Sequence, residues 1–113
     1  MLKTPVLQYV SYKGGRLAYR EAGKGPDLFF LHGMNGSSRS WLHIFEALAP
    51  SFHVVAWDAP SFGASDVFGD KIEDYVDAAK ALMQAVEIRE AIVVGHSMGG
   101  VIATQLAADR ECS

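Results

Sequence analysis

The segment Gly95-His96-Ser97-Met98-Gly99 has the residue types and spacing for covalent chemistry. It fits the pattern G-x-S-x-G. An apolar run, Ile92 to Val94, enters it, and a helical pattern leaves it from Gly100 onward. A serine on so sharp a turn is held in a strained backbone conformation, with its hydroxyl exposed above a sheet. Residues two before and two after must be small, because side chains there would collide across the turn. Gly95 and Gly99 meet that need. A helix starting at Met98 aims its free N–H groups and positive dipole end at the site. The Met98 N–H is then a natural donor to a developing oxyanion. Three fixed positions match by chance in about one chain of this length in thirty. The strand-turn-helix context therefore carries as much weight as the pentapeptide.

A second turn adds to the first. His32-Gly33 follows the apolar run Leu28-Phe29-Phe30-Leu31. In a parallel sheet the C-terminal ends of both strands share one edge, so this turn meets the Ser97 turn in space. Gly33 lets the backbone approach closely, and the Met34 N–H becomes the second oxyanion donor.

The elements that must position these turns can be read along the chain. Leu7 to Tyr12 alternates, a Gly14-Gly15 pair follows, and Leu17 to Glu21 is again β-rich, which predicts an antiparallel hairpin. Leu28–Leu31 and Phe52–Trp57 are apolar without alternation, as strands covered on both faces should be. Ala91–Val94 reads as a further buried strand. Between them lie a short helix with Trp41, Ile44, Phe45 and Leu48 on one stripe, stopped at Pro50 and capped by Ser38 or Ser40, and a long helix from about Asp70 to Val86. The last helix, Met98 to about Ala108, is apolar on most sides, as in a deeply buried helix. The fold class is α/β: an antiparallel hairpin, then β-α-β-α-β-α, a mostly parallel sheet in three layers.

Composition narrows the classes. The 113 residues are half hydrophobic and a fifth charged, with a formal net charge of −3 and one cysteine. A nucleic-acid binder acting through its net field is not expected, nor is a disordered segment. Cys112, near the end, reads as unremarkable, and one cysteine makes no internal disulfide or cysteine zinc cluster. No apolar run approaches the ~20 residues of a membrane span, and the first residues lack the apolar core of a signal peptide. The expectation is a soluble, cytoplasmic protein with no nucleic-acid or membrane partner.

Leu31-His32-Gly33-Met34-Asn35-Gly36-Ser37-Ser38-Arg39-Ser40-Trp41 resembles the HG-x-x-G-S-S-x-x-W segment of α/β-hydrolases. Asp58 to Ser65 resembles their D-x-P-G-x-G-x-S loop, with Ser61-Phe62 where the family has glycine and a varied residue. Gly95 to Gly100 resembles their nucleophile elbow. The resemblance runs from about Tyr9 to Ala108 and implies the strand order 1-2-4-3-5. It implies a serine hydrolase acting on an ester or related acyl substrate, with Ser97 as nucleophile, no cofactor and no metal. Thioesterases, lactonases, carbon–carbon bond hydrolases and cofactor-free haloperoxidases share the motif set. An aspartate at position 97 would point to dehalogenases or epoxide hydrolases, and serine argues against both.

The resemblance also implies a histidine base and a carboxylate following the serine. Only Asp109 and Glu111 follow Ser97, without a histidine. Asp109 lies roughly 15 Å along the last helix. Earlier histidines fit other roles: His32 is structural in the family's oxyanion loop, His43 and His53 read as surface residues, and the side chain of His96 diverges from its neighbour's. Asp58 follows the wrong strand and suits bonding to backbone N–H groups. Trp41, Trp57 and Tyr75 read as core or core edge, and the side chains of Met34 and Met98 are divided evenly between pocket lining and packing. The expectation is one truncated domain, residues 1–113, holding the first five strands and three helices of the fold. The alternative is a catalytically inert fragment or interaction module, self-associating through the apolar edge strand 91–94.

Overall fold

The computed structural model describes residues 5–34, 36–69 and 71–108, and it opens with a hairpin of β1 (Gln8–Tyr12) and β2 (Gly15–Ala22). The turn is Lys13-Gly14, one residue earlier than the Gly-Gly pair suggested, because Gly15 already pairs with Tyr12. Both turn residues have positive φ, +46° and +77°, as a two-residue turn matching the strand twist requires. Gly15 has a different task. A β-carbon there would lie 2.8 Å from the Asp66 carboxylate and 2.9 Å from the Phe68 ring, so it lets the loop before α2 close over the hairpin.

Then follow β3 (Asp27–Leu31), a 3₁₀ turn (Ser38–Trp41) running into α1 (Leu42–Leu48), β4 (His53–Trp57), α2 (Ile72–Ala85), β5 (Ile92–Gly95) and α3 (Met98–Ala108). The sheet order is β1-β2-β4-β3-β5, with β2 antiparallel to β4 and β3 parallel to both β4 and β5. This is the strand order that the resemblance implies. Asn35, Asp70, Asp109, Glu111 and Cys112 lie outside the described residues.

Successive strand residues face opposite layers. Leu17, Tyr19, Phe29, Leu31, Val55 and Trp57 join Tyr75, Val76, Ala79, Leu82 and Met83 of α2 and Ile102 and Leu106 of α3 in the larger core. Leu28, Phe30, Val54 and Ala56 pack on the other face against Phe45 of α1. That double cover explains the unalternating sequences of β3 and β4. Phe29 meets Trp57 edge-on, with ring centres 6.0 Å apart. Burying a side chain of this size contributes about 1.5–3 kcal/mol.

Several readings need correction. The first cap is Ser37, whose hydroxyl accepts from the Arg39 N–H at 3.1 Å. Ser38 is buried and bonded elsewhere. β5 is covered on one face only, and there in part: Val93 is half-buried against the larger core, while Ile92 is 63% exposed and Val94 36% exposed. The register pairs these two with Leu28 and Phe30, yet the α1 layer stops short of them. α3 likewise packs by one stripe, Gly99, Ile102 and Leu106, and Val101 is exposed. His53 is not a free surface residue. Its Nδ1 lies 2.7 Å from Asp27 and its Nε2 2.7 Å from Glu21. Among the described residues, no helix is long and apolar enough to cross a membrane.

Candidate active site

β3 and β5 end together, with Leu31 paired to Gly95, so the His32 and His96 turns leave the same sheet edge. The His96 N–H donates to the Leu31 carbonyl at 3.0 Å and carries the pairing one step further. Ser97 then takes a φ of +56°, a conformation that costs an L-residue about 1–2 kcal/mol. Three backbone bonds hold it: Gly99 N–H to the His96 carbonyl at 2.9 Å, and Gly100 and Val101 N–H to the Ser97 carbonyl at 2.8 and 3.3 Å.

The flanking glycines are required by distinct contacts. A β-carbon on Gly95 would overlap the Gly99 carbonyl, so this is the collision across the turn. One on Gly99 would overlap the Leu31 carbonyl, so Gly99 instead lets α3 press on the end of β3. At Gly33 a β-carbon would lie 2.8 Å from His96 Nδ1 and 3.1 Å from Ser97 Cβ. The two turns thus touch, as their strand ends dictate.

Ser97 is exposed at the edge of a cleft of about 500 Å³. Gly33, Met34, Ser40, Trp41 and His96 are among its walls. Among the described residues, no Asp, Glu, Lys or Arg lines it. The N–H groups of Met34 and Met98 have no acceptor among the described residues. The two methionine side chains part company: Met34 is exposed on the cleft wall, and Met98 packs on the larger core. No histidine nitrogen accepts from the Ser97 hydroxyl among the described residues. The described residues also contain no cluster of three His, Cys, Asp or Glu side chains fit for a metal ion.

Beneath the cleft runs a polar network, most of it buried. Asp58, only 2% exposed, accepts from the Ser38 N–H at 2.6 Å and the Ala64 N–H at 2.9 Å. The Ser38 hydroxyl accepts from Nε of buried Arg20 at 3.0 Å. Ser65 accepts from the Ala18 N–H at 2.7 Å and donates to the Asp58 carbonyl. Asp58 therefore ties the loop after β4 to the 3₁₀ turn. His32 is also buried, bonded through both ring nitrogens to the Gly33 carbonyl and the Ala59 N–H. Burial lowers its pKa below the usual histidine value, against the Gly33 bond and the Asp58 charge, which raise it. Sequence reasoning had no signal for Arg20 and read Ser38 only as a cap, because their partners lie far along the chain. Trp41 was legible as apolar, but its place on the cleft wall was not.

A family profile described as the alpha/beta hydrolase family matches residues 28–112. A dihydrolipoyllysine-residue acetyltransferase component of the acetoin cleaving system from Cupriavidus necator is 36% identical over 105 residues, covering 90% of this chain and 28% of the relative. The pimeloyl-[acyl-carrier protein] methyl ester esterase of Vibrio campbellii is 34% identical over 91 residues, covering 80% of this chain and 35% of the relative. A loop variant of a haloalkane dehalogenase from Bradyrhizobium elkanii superposes with a TM-score of 0.87 at 33% identity, covering 95% of this chain and 37% of that one. The chain thus spans about a third of the length of the proteins it matches.

Proposed function

Because this chain belongs to the alpha/beta hydrolase family, we propose that it carries the nucleophile and oxyanion donors of a serine hydrolase acting on an ester or related acyl substrate. Its relatives include hydrolases, and the activities named for them differ, so none is transferred as it stands. In the proposed step, Ser97 Oγ attacks the substrate carbonyl while a base takes its proton. The Met98 and Met34 N–H groups receive the charge that develops on the carbonyl oxygen. The tetrahedral intermediate expels the protonated alcohol or thiol and leaves an acyl-serine, which water hydrolyses. The observation that carries this reading is the junction itself. Ser97 is exposed at positive φ and lies against Gly33, and the Met34 and Met98 N–H groups of the two turns have no acceptor among the described residues. Residues 1–113 are read as the front of one larger domain, with the base and its carboxylate supplied from outside the described residues.

The absence of a histidine partner for Ser97 among the described residues favours a second reading, that the 113 residues alone are inert. The exposed β5 edge would then serve association with another chain, which sedimentation velocity would detect as a species heavier than the monomer. A fluorophosphonate probe separates activity from inertness. Stoichiometric labelling that disappears in Ser97→Ala supports the hydrolase reading for this chain. A folded sample that takes up no label refutes autonomous reactivity.

A further inference from the structure

We propose that His32 is a positioning residue for the Met34 N–H, and that the Ala59 N–H dictates the tautomer that makes it one. The inference rests on reading Met34 as an oxyanion donor.

The Ala59 N–H lies 3.0 Å from His32 Nε2. A backbone amide nitrogen can only donate, so Nε2 must be the unprotonated acceptor. A neutral imidazole then carries its hydrogen on Nδ1. That atom lies 2.8 Å from the Gly33 carbonyl oxygen and donates to it. The Gly36 N–H donates to the same oxygen at 3.0 Å.

The Gly33 carbonyl and the Met34 N–H belong to one rigid, planar peptide unit and point in opposite directions. Bonds that anchor the oxygen therefore set the direction of the N–H, which stays free of any acceptor among the described residues. Gly33 has no side chain to restrict its own dihedrals, so the plane needs this external anchor.

The imidazole has little freedom to do otherwise. It is 1% exposed, and the Phe62 ring stands edge-on against it at 5.4 Å. A second proton, on Nε2, would face the Ala59 N–H, donor against donor. The burial that lowers the imidazole pKa opposes the same event, while the nearby Asp58 charge favours it. Ala59 is in turn placed by Asp58, held by Ser38 and Ala64. The loop after β4 thus reaches the oxyanion turn through one ring.

Nitrogen-15 NMR of the full 113-residue chain tests the tautomer. The expected result is an unprotonated Nε2 and a protonated Nδ1 for His32 at neutral pH. The opposite tautomer, or an imidazolium, would overturn the proposal. Variants test the consequence. Asparagine offers an N–H near the Nδ1 position, whereas glutamine reaches the Nε2 position. The Met34 amide resonance should stay near its wild-type position in His32→Asn and move in His32→Gln and His32→Ala, with α3 resonances unchanged as the fold control. Equal displacement in all three would show that the ring merely packs. Should the variants not fold, the wild-type tautomer still decides. Neither measurement depends on Ser97 reactivity, so absent fluorophosphonate labelling refutes autonomous reactivity and leaves the positioning test intact.

Discussion

Replacing Ser97 by glycine should make the protein more stable while deleting its proposed nucleophile. At a φ of +56°, the β-carbon costs about 1–2 kcal/mol. Glycine lacks that cost but gives up about 0.4–1 kcal/mol more chain entropy on folding. The net gain is about 0–1.6 kcal/mol, near 0.8 kcal/mol at the midpoints of the two terms. Ser97→Ala is the control, since it retains the β-carbon and the strain. The lost hydroxyl is exposed and has no partner among the described residues, so alanine should stay within about 0.5 kcal/mol of wild type. For a chain of this size the glycine variant should melt about 2–6 °C above the alanine variant. Thermal unfolding followed by circular dichroism, in one buffer, measures this, and neither variant should take up fluorophosphonate. A glycine variant that melts at or below the alanine variant would refute the assignment of strain to Ser97. Ser61 provides an independent case. It too has a positive φ, +73°, and is exposed. Glycine there should stabilise by a similar amount and leave Ser97 labelling untouched.

The remaining predictions concern the far end of the sheet and the touching turns. Burial by itself would lower the His53 pKa, but hydrogen bonds and charges from Asp27 and Glu21 outweigh it and raise it above 6.5. Its stabilising contribution is therefore complete below pH 6.5 and lost as pH rises through the folded-state value. Urea midpoints of wild type should fall over that window relative to those of His53→Gln, and parallel profiles would count against the clamp. Gly33→Ala places a β-carbon 2.8 Å from His96 Nδ1 and 3.1 Å from Ser97 Cβ, so the His96 ring must turn aside and the two turns must ease apart slightly. A misplacement of about 1 Å would cost about 10²-fold, so this smaller shift should slow any Ser97 labelling by less than that, and an unchanged rate would mean that the turns do not act together.

Much of the site was legible because its determinants are local. A serine between two glycines, entered by a strand and left by a helix, can form only a tight turn. The structure indeed holds Ser97 at positive φ. Gly33 was legible as a close approach, because parallel strands bring their ends to one edge. The departure at Ser61 was visible in the sequence, but not its meaning. That position has the left-handed backbone for which glycine is suited. Asp58 read as a backbone-bonding aspartate, and it does bond the Ser38 and Ala64 N–H groups. The exposure of β5 and α3 was harder to read, since an apolar residue has the same letter whether its neighbouring layer covers it or stops short.

By itself, then, the sequence determined the order of elements, the strand order implied by its motifs, and the conformation of the serine turn. The first and last follow from periodicity and from steric limits on φ and ψ, which act over a few residues, whereas the strand order came through the family resemblance. The tertiary structure alone decided that Ser37 rather than Ser38 caps the 3₁₀ turn, that His53 bridges two carboxylates, and that His32 joins the Ala59 N–H to the Gly33 carbonyl. Each depends on a partner that the fold, and not the local chain, brings within hydrogen-bonding distance. Ser38 is withdrawn from capping because Asp58 and Arg20, some twenty residues away on either side, claim its N–H and its hydroxyl. Hydrogen bonds reach about 3 Å, and only the folded chain sets which groups stand that close.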